Sequence, residues 1–561
     1  MDCAPYVSVA AWASPLCSSG SKTPTAATYP GLLRVMAARR PDAEALVFPD
    51  ERLTYSQLLA RSEDRARELR RLGLRRGDHV GVLMPNTTMI VELLGAAGMV
   101  GATLVPINTR YRPRELRHLI THARLAALFT TDAIDEHVNF KTLLYEALPG
   151  LAEASDPTCL RLEAAPDLRV VVLVGNGTSP GLLSHHQLHD LAVDETGPDP
   201  LDTAEPDDVA LMLYTSGTTA NPKGCMLSHR AILLDAQGIA ERFAIPVGDR
   251  WWNPLPMFHA GAVMLMTGCF TAGATFISAA RFELDTAFAQ LESERPTVVY
   301  SLFPPITTTL LHDPRFARLD RSAWRVVVNV GPEAMQRQIQ DACEPATLMS
   351  AYGITELCGT VTFTELDDPP QIRVQTCGRP LPGFELKVVD PLSGVDMRTG
   401  ERGELVGRGP SMFVGYFRDE QLTLDSIDDG GFFHTGDLCS VDGDGRISFH
   451  GRIKDMLKVG GENVAAIEIE SYLGTHPAVK VAQVVGIPDP RLVEVPAAFL
   501  ELIPGASVTE EEIISFCVGA IASFKVPRVV RFVHEWPLSA TKVQKFRLRD
   551  ELVAETQGLE G

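Results

Sequence analysis

The chain has 561 residues, room for several core-bearing units, and its 45% apolar and 22% charged residues are the balance of an ordinary soluble globular protein. A formal net charge of −20 argues against a nucleic-acid or anionic-membrane partner, which needs clustered positive charge. Ten scattered cysteines with no CxxC pair argue against a disulfide framework and a structural zinc site, and the plain expectation is reduced thiols in a cytoplasmic protein.

Residues 1–27 are small and polar apart from a brief apolar stretch, lack a basic n-region and read as a flexible lead-in rather than a secretory signal. No apolar run reaches the roughly 20 residues of a membrane span. The tail QGLEG is not a peroxisomal address. Short Val/Leu/Ile runs alternate with amphipathic segments: HVGVLM (79–84), RVVVLV (169–174), VALMLY (209–214) and RVVVNV (325–330). Runs of this kind suit strands covered on both faces, hence a layered α/β fold. The stretch 92–108 echoes 262–278, each a helix, then Gly-Ala-Thr, then a buried strand. Two similar α/β halves explain the echo, and so do two unrelated helix–strand units. His185, His186 and His189 could meet on one helix face, but no HExxH pattern accompanies them and a metal role is not expected. After Val395 glycines and short charged turns predict strands and hairpins. Past Arg452 the stretch 463–476 predicts a helix, 479–487 a strand and 509–522 a helix capped by Thr509 and Glu512, the texture of a small second domain.

The stretch YTSGTTANPKG (214–224) follows a predicted strand. Thr215, Ser216, Thr218 and Thr219 supply hydroxyls, Gly217 and Gly224 allow close backbone approach, and Lys223 adds a mobile charge. That is phosphate-binding chemistry, although a polar surface loop shares the composition. Pro222 before Lys223 and Gly224 after it break the Walker A pattern, which excludes an ordinary P-loop.

This loop resembles the phosphate loop of the adenylate-forming superfamily of acyl- and aryl-CoA synthetases, luciferases and peptide-synthetase adenylation domains, with Ala220 in place of a second glycine. Further signatures appear in that family's order over about residues 29–552. In PMFHAGA (256–262) the resemblance makes His259 a gate of the acyl pocket, where local evidence alone suggests a satisfied core histidine. In AYGITE (351–356) it implies that Ala351, Tyr352, Gly353 and Thr355 bind the nucleotide, with the base stacked on Tyr352 and the Gly353 backbone close by. Glu356 would be the Mg²⁺ ligand. NVGPE (329–333) stands where the family often has Gly-Gly-Ala-Pro, so Val330 narrows the expected pocket floor. In HTGDL (434–438) Asp437 would grip the ribose diol, and Arg452 of GRIKDMLKVGGENVAAIEIE (451–470) would reach ribose or phosphate. Lys454 matches the hinge, and Gly460 and Gly461 would let a narrow thiol arm pass. In PLSATKVQKF (537–546) the usual glycine is missing before Lys542, the best match for the adenylation lysine, with Lys545 its rival.

The resemblance thus implies a large N-terminal AMP-binding domain over residues 28–453, of layered α/β subdomains plus a β-rich one, and a small mobile α+β domain over 454–561. It implies ATP, Mg²⁺ and coenzyme A as cofactors or co-substrates. The expected reaction is attack of a carboxylate on the α-phosphorus of ATP, giving acyl-AMP and pyrophosphate, then transfer of the acyl group to the thiol. Lys223, Glu356 and Lys542 would clamp the phosphates, and Lys542 would withdraw on rotation about Lys454. GGENV and INTRYRPREL (107–116) favour coenzyme A as acceptor in a monomer or homodimer. Phe258, Ala260, Gly261, Val330 and Ile354 favour an aliphatic or aromatic acid over an amino acid. A stand-alone acyl-AMP ligase serving a carrier protein, a luciferase-type monooxygenase and a degenerate nucleotide-binding regulator are the competing readings.

Overall fold

The structure is a computed structural model describing residues 26–191, 204–215, 222–459, 462–489, 491–539 and 542–558. Most of the expected lead-in lies outside the described residues.

Two large sheets organise the N-terminal domain. The eight-stranded sheet runs in the order Gly415–Tyr416, Lys223–Ser228, Val209–Thr215, Thr103–Pro106, His79–Leu83, Leu125–Thr131, Val170–Val174, Leu183–Ser184. It is parallel from Val209–Thr215 onward and antiparallel at the other edge, where Lys223–Ser228 folds back as a hairpin and Gly415–Tyr416 adds to it. The seven-stranded sheet runs Thr347–Met349, Val326–Asn329, Val298–Leu302, Arg250–Trp252, Thr275–Ile277, Glu44–Val47, Arg52–Thr54, parallel but for its last strand. The apolar runs read from the sequence are the buried strands of these sheets, as two-sided burial of a parallel sheet requires.

Helices Tyr29–Arg39, Tyr55–Arg71, Thr88–Val100, His229–Arg242 and Ala260–Thr271 pack on one another between the sheets, and one continuous core joins both. Thr88–Val100 and Ala260–Thr271 are buried nearly all round, which is why their sequences are apolar without a polar stripe. The outer faces carry separate cores, one under Leu116, Leu119 and Phe140, the other under Phe288, Leu291 and Ile339. The internal echo falls on equivalent units in different sheets. Helix Thr88–Val100 ends at Gly101 (φ 73°) before Thr103–Pro106, and helix Ala260–Thr271 passes Gly273 (φ 71°) before Thr275–Ile277. In each the glycine supplies the left-handed turn that sends the chain back into a sheet, so two similar α/β halves account for the repeat.

A four-stranded antiparallel sheet, Glu385–Val389, Gly403–Arg408, Phe433–Val441, Ile447–Arg452, forms the β-rich part. The small C-terminal domain is a five-stranded sheet with helices Ala466–Leu473, Glu510–Cys517 and Lys545–Gly558. The sequence expectation of a helix from residue 463 needs correction. Residues Glu462–Ala465 form a strand paired with Met456–Val459, and the helix starts only at Ala466. Val459 pairs with Glu462 only three residues on, so the antiparallel pairing claims these residues before a helix can start, and the β-branched Val464 suits it. The helix expected over 509–522 is also shorter, Glu510–Cys517, though its Thr509/Glu512 capping box is formed.

Candidate active site

The hydroxyl-rich stretch joins two strands that pair with each other. Thr215 ends one strand and Lys223 begins the other, directly opposite it. Ser216, Gly217, Thr218 and Thr219 lie outside the described residues. The edge strand Gly415–Tyr416 continues the sheet past Lys223 and sets Tyr416 opposite Cys225. From there the Tyr416 ring lies 5.6 Å from Lys223 Nζ, and its hydroxyl donates to Glu356 Oε1 at 2.8 Å. Glu356 is 8% exposed, on the short turn Thr355–Leu357, and its main-chain carbonyl accepts from Phe413 N–H at 2.9 Å. Burial first, then the Glu356 carboxylate, push the Tyr416 hydroxyl far above the usual tyrosine range, so it stays a donor. Sequence reasoning missed Tyr416. Its Gly-Tyr pair was visible, but nothing local announces a partner sixty residues away.

A second cluster adjoins the first through the same turn. Tyr352, beside Ala351 at the start of AYGITE, donates its hydroxyl to Asp437 Oδ2 at 2.6 Å. Asp437 is 1% exposed and faces Arg452 across the antiparallel pair, with Arg452 Nε 2.7 Å from Oδ1. A buried carboxylate held by a guanidinium and a phenol remains an acceptor. Phe449 lies alongside Tyr352, ring centroids 6.2 Å apart and 32° from parallel. Gly353 has a structural reason beyond close approach to a ligand. A Cβ there would come within 1.8 Å of the Gly359 carbonyl oxygen.

His259 stands at the N-cap position of the buried helix Ala260–Thr271, with no side-chain capping bond, rather than in the core. It is half-buried, and its ring meets Phe258 at 4.7 Å between centroids. Asn86 holds this turn, accepting from Met257 N–H at 2.8 Å and donating to the Leu255 carbonyl at 2.8 Å. A Cβ on Gly359 would touch Ala260 at 2.7 Å, so the His259 turn abuts the segment carrying Tyr352 and Glu356. Val330 closes the end of Val326–Asn329 by a bond from its N–H to Leu302 O, 3.0 Å. Asn329, Thr307, Ser301 and Gln336 form a buried polar network that fixes these two strand ends.

The structure therefore brings Thr215, Lys223, Glu356, Ala351, Tyr352, Gly353, Thr355, Asp437, Arg452 and His259 into one region. Gly460 and Gly461 lie outside the described residues. Lys542 is described by its backbone, in a short strand opposite Ser539, and its side chain lies outside the description. Its rival Lys545 is occupied. Lys545 Nζ sits 2.6 Å from Glu470 Oε1, in a hollow of about 90 Å³ that Arg452 and Phe449 also line. Glu470 also accepts from Val484 N–H at 2.7 Å, so Lys545 is tied into the small domain. Lys454 is exposed on the turn Ile453–Asp455.

The residues fit a divalent cation at Glu356. Tyr416 takes Oε1, and Oε2 makes no hydrogen bond among the described residues. A single hard carboxylate oxygen with the remaining positions left to phosphate and water is how Mg²⁺ is usually held beside a nucleotide.

Comparison with known proteins shows the family. The AMP-binding enzyme family matches residues 33–417, and the AMP-binding enzyme C-terminal domain matches residues 468–543. A 3-[(3aS,4S,7aS)-7a-methyl-1,5-dioxo-octahydro-1H-inden-4-yl]propanoyl:CoA ligase of Rhodococcus jostii is 33% identical over 534 residues, 93% of this chain and 98% of that protein. The human mitochondrial medium-chain acyl-CoA ligase ACSF2 is 32% identical over 537 residues, 93% and 86%. Among solved structures, the anthranilate CoA ligase AuaEII with anthranoyl-AMP superposes with a TM-score of 0.82 at 27% identity, covering 95% of this chain and 99% of that one. The chain belongs to the AMP-binding enzyme family, in its branch of AMP-forming acid–CoA ligases.

Proposed function

We propose that this AMP-forming acid–CoA ligase activates an aliphatic or aromatic carboxylic acid, with its work divided between the two clusters. The observation that carries the reading is the six-residue segment 351–356, which joins Asp437 through Tyr352 to Lys223 through Glu356 and Tyr416. One short element thus spans the distance from a diol acceptor to a lysine beside a metal-binding carboxylate, the layout a nucleoside triphosphate requires. Asp437 accepts from the ribose hydroxyls, and Arg452 beside it holds the carboxylate in place. Thr215, Ser216, Gly217, Thr218, Thr219 and Lys223 hold the β- and γ-phosphates, while His259 and the apolar wall of Phe258, Ala260, Gly261, Val330 and Ile354 hold the acid. Mg²⁺, when bound at Glu356, supplies positive charge to the phosphate oxygens.

The carboxylate attacks the α-phosphorus in line, the P–O bond to the bridging oxygen breaks, and pyrophosphate leaves with the electron pair. Lys542 neutralises charge on the pentacoordinate centre. The small domain, taken from residue 454, then turns about Lys454, Lys542 departs, and the Gly460–Gly461 stretch admits the thiol. The thiol sulfur adds to the acyl carbon, AMP leaves, and the thiol proton passes to solvent. The names of the relatives, a fused-ring propanoate, a medium-chain acyl and an anthranilate ligase, support an acid with an apolar body. A cytoplasmic site is supported by the described cysteines, none of them in a disulfide.

Exchange of labelled pyrophosphate into ATP over a panel of medium-chain, ring-bearing and aryl acids tests the reading. Activity confined to amino acids, or none with any acid, overturns it. Replacing Lys542 by alanine should remove exchange by about 10²-fold or more yet spare thioester formation from supplied acyl-AMP. Equal loss of both steps would take Lys542 out of its role.

A further inference from the structure

A hollow of about 520 Å³ lies on the outer face of the eight-stranded sheet, lined by Arg114, Arg117, His118, Thr121 and His122 of helix Pro113–His122, with Ala164 and Arg418. The lining has three guanidinium groups, two imidazoles and no carboxylate, in a protein whose net charge is −20. Arg114 and Arg418 make no ion pair or hydrogen bond among the described residues. Arg117 is engaged on two sides, donating from Nε to the Ala147 carbonyl at 2.6 Å and from Nη2 to the Glu146 carbonyl at 3.2 Å, which leaves Nη1 to face the hollow. His118 and His122, one helical turn apart, stack with ring centroids 5.3 Å apart and planes 25° from parallel. His118 Nε2 is shielded from solvent and has no hydrogen-bond partner. Arg418 is held at φ 57°, a left-handed conformation that an L-residue adopts at a cost.

Arg114, Arg117 and Arg418 are exposed, so water screens their mutual repulsion, and an anion in the hollow gains from all three. Burial first, then His118 and Arg418, hold the His122 imidazolium down, while Asp419 opposes them. The nearby carboxylates face the hollow only in part: Asp419 acts on His122 and Asp167 on Arg418, and each has another partner. Asp419 caps the next helix, Asp167 forms a two-pronged pair with Arg124, and Glu115 accepts from Arg112 N–H.

We propose that this hollow binds a phosphoryl group outside the ATP site and reports its occupancy to the phosphate loop. A dianion with three oxygens matches guanidinium groups approaching from two segments and an imidazole pair able to take up protons. The link to the loop is direct. His122 Nδ1 lies 2.7 Å from the Tyr214 hydroxyl, and Tyr214 adjoins Thr215. On the other side Phe417, next to Arg418, meets the His122 ring edge-on at 5.9 Å and donates its N–H to the Gly224 carbonyl at 2.8 Å. Both strands of the loop-bearing hairpin are thus tethered to residues of the hollow. A bound dianion draws a proton onto His122, both of whose ring nitrogens then donate, so the Tyr214 hydroxyl becomes the acceptor in that bond.

The probes are inorganic phosphate and adenosine 3′,5′-bisphosphate, titrated calorimetrically into the full chain with MgATP at saturation and no acid, so that the ATP site is filled. Wild type should bind one equivalent, with the ring signals of His118 and His122 moving toward the protonated form in NMR spectra. An Arg114→Gln/Arg418→Gln variant should bind at least tenfold more weakly, with its Tm and phosphate-free pyrophosphate exchange as in wild type. Binding of inorganic phosphate marks the ligand as a free anion, and binding of the bisphosphate alone marks it as nucleotide-borne. No binding of either probe, equal affinity in the double variant, or unmoved histidine signals overturns the site. Tyr214→Phe should still bind the probe but abolish its effect on the KM for ATP, and an unchanged effect overturns the relay.

Discussion

Tyr416 is where Lys223 and Glu356 are held together. Its ring underlies Lys223 and its hydroxyl fixes one oxygen of Glu356, so a single side chain sets two charges of opposite sign. Tyr416→Phe keeps the ring and removes only the hydroxyl. The expected outcome is about a tenfold fall in kcat for pyrophosphate exchange with a raised Mg²⁺ requirement, and an unchanged Mg²⁺ dependence would show that the bond does not position Glu356. Two buried groups on helix His229–Arg242 make stability depend on pH with opposite signs. Burial holds His229 neutral, its pKa lowered from 6.5 to about 4, while Nδ1 accepts from Tyr29 N–H. The unfolded chain binds the extra proton between those values, so that contribution is complete above about pH 6.5. It is lost as the pH falls toward 4, at ~3 kcal/mol in all. Thermal melts of His229→Gln should lose that slope. Asp235, fully buried, with both oxygens lacking hydrogen-bond partners, is pushed well above the usual carboxylate range by desolvation. Here the folded state binds the extra proton, so stability falls as the pH rises above about 4. The Tm of Asp235→Asn should therefore exceed wild type by a margin that grows with pH, and a constant margin would contradict it.

Among elements, the segment Ala351–Leu357 does most with least length. It contributes Tyr352 to one cluster and Glu356 to the other because it folds back on Gly359 at a distance only glycine allows. Gly353→Ala has no room, so the turn must open. The expected result is a KM for ATP raised at least tenfold together with a lower Tm, and normal ATP kinetics would mean the turn yields without moving Tyr352. The Gly-Tyr edge strand acts the same way at a distance. Gly415–Tyr416 pairs with a strand nearly two hundred residues earlier, and that pairing alone delivers Tyr416 to the loop hairpin.

Over the whole molecule, the two domains meet at a small charged bridge. Glu468, on the first helix of the small domain, takes Arg402 of the large domain at 2.8 Å and also pairs with Lys525. Half-exposed pairs of this kind contribute little to stability, on the order of 1 kcal/mol or less, but they bias the relative orientation of two bodies. Arg402→Ala should leave Tm within about 2 °C. It should change the ratio of the adenylation rate to the thioester-forming rate in single-turnover experiments. An unaltered ratio would mean the bridge does not weight the domain positions.

The motifs that name the chemistry were legible along the chain because each is local. Lys223, Glu356, Asp437 and Arg452 stand within short stretches of distinctive composition, and the buried parallel strands announce themselves as unbroken apolar runs. Tertiary structure alone decided how those stretches meet: that Tyr352 reaches Asp437, that Tyr416 reaches both Lys223 and Glu356, and that Glu470 engages Lys545. It also gathered Arg114 and Arg418, some three hundred residues apart, around one hollow. The physical reason is the same in each case. Composition and spacing encode what a segment buries and how it turns, whereas hydrogen bonds and ion pairs between distant segments depend on strand pairing and close approach, which no single stretch records.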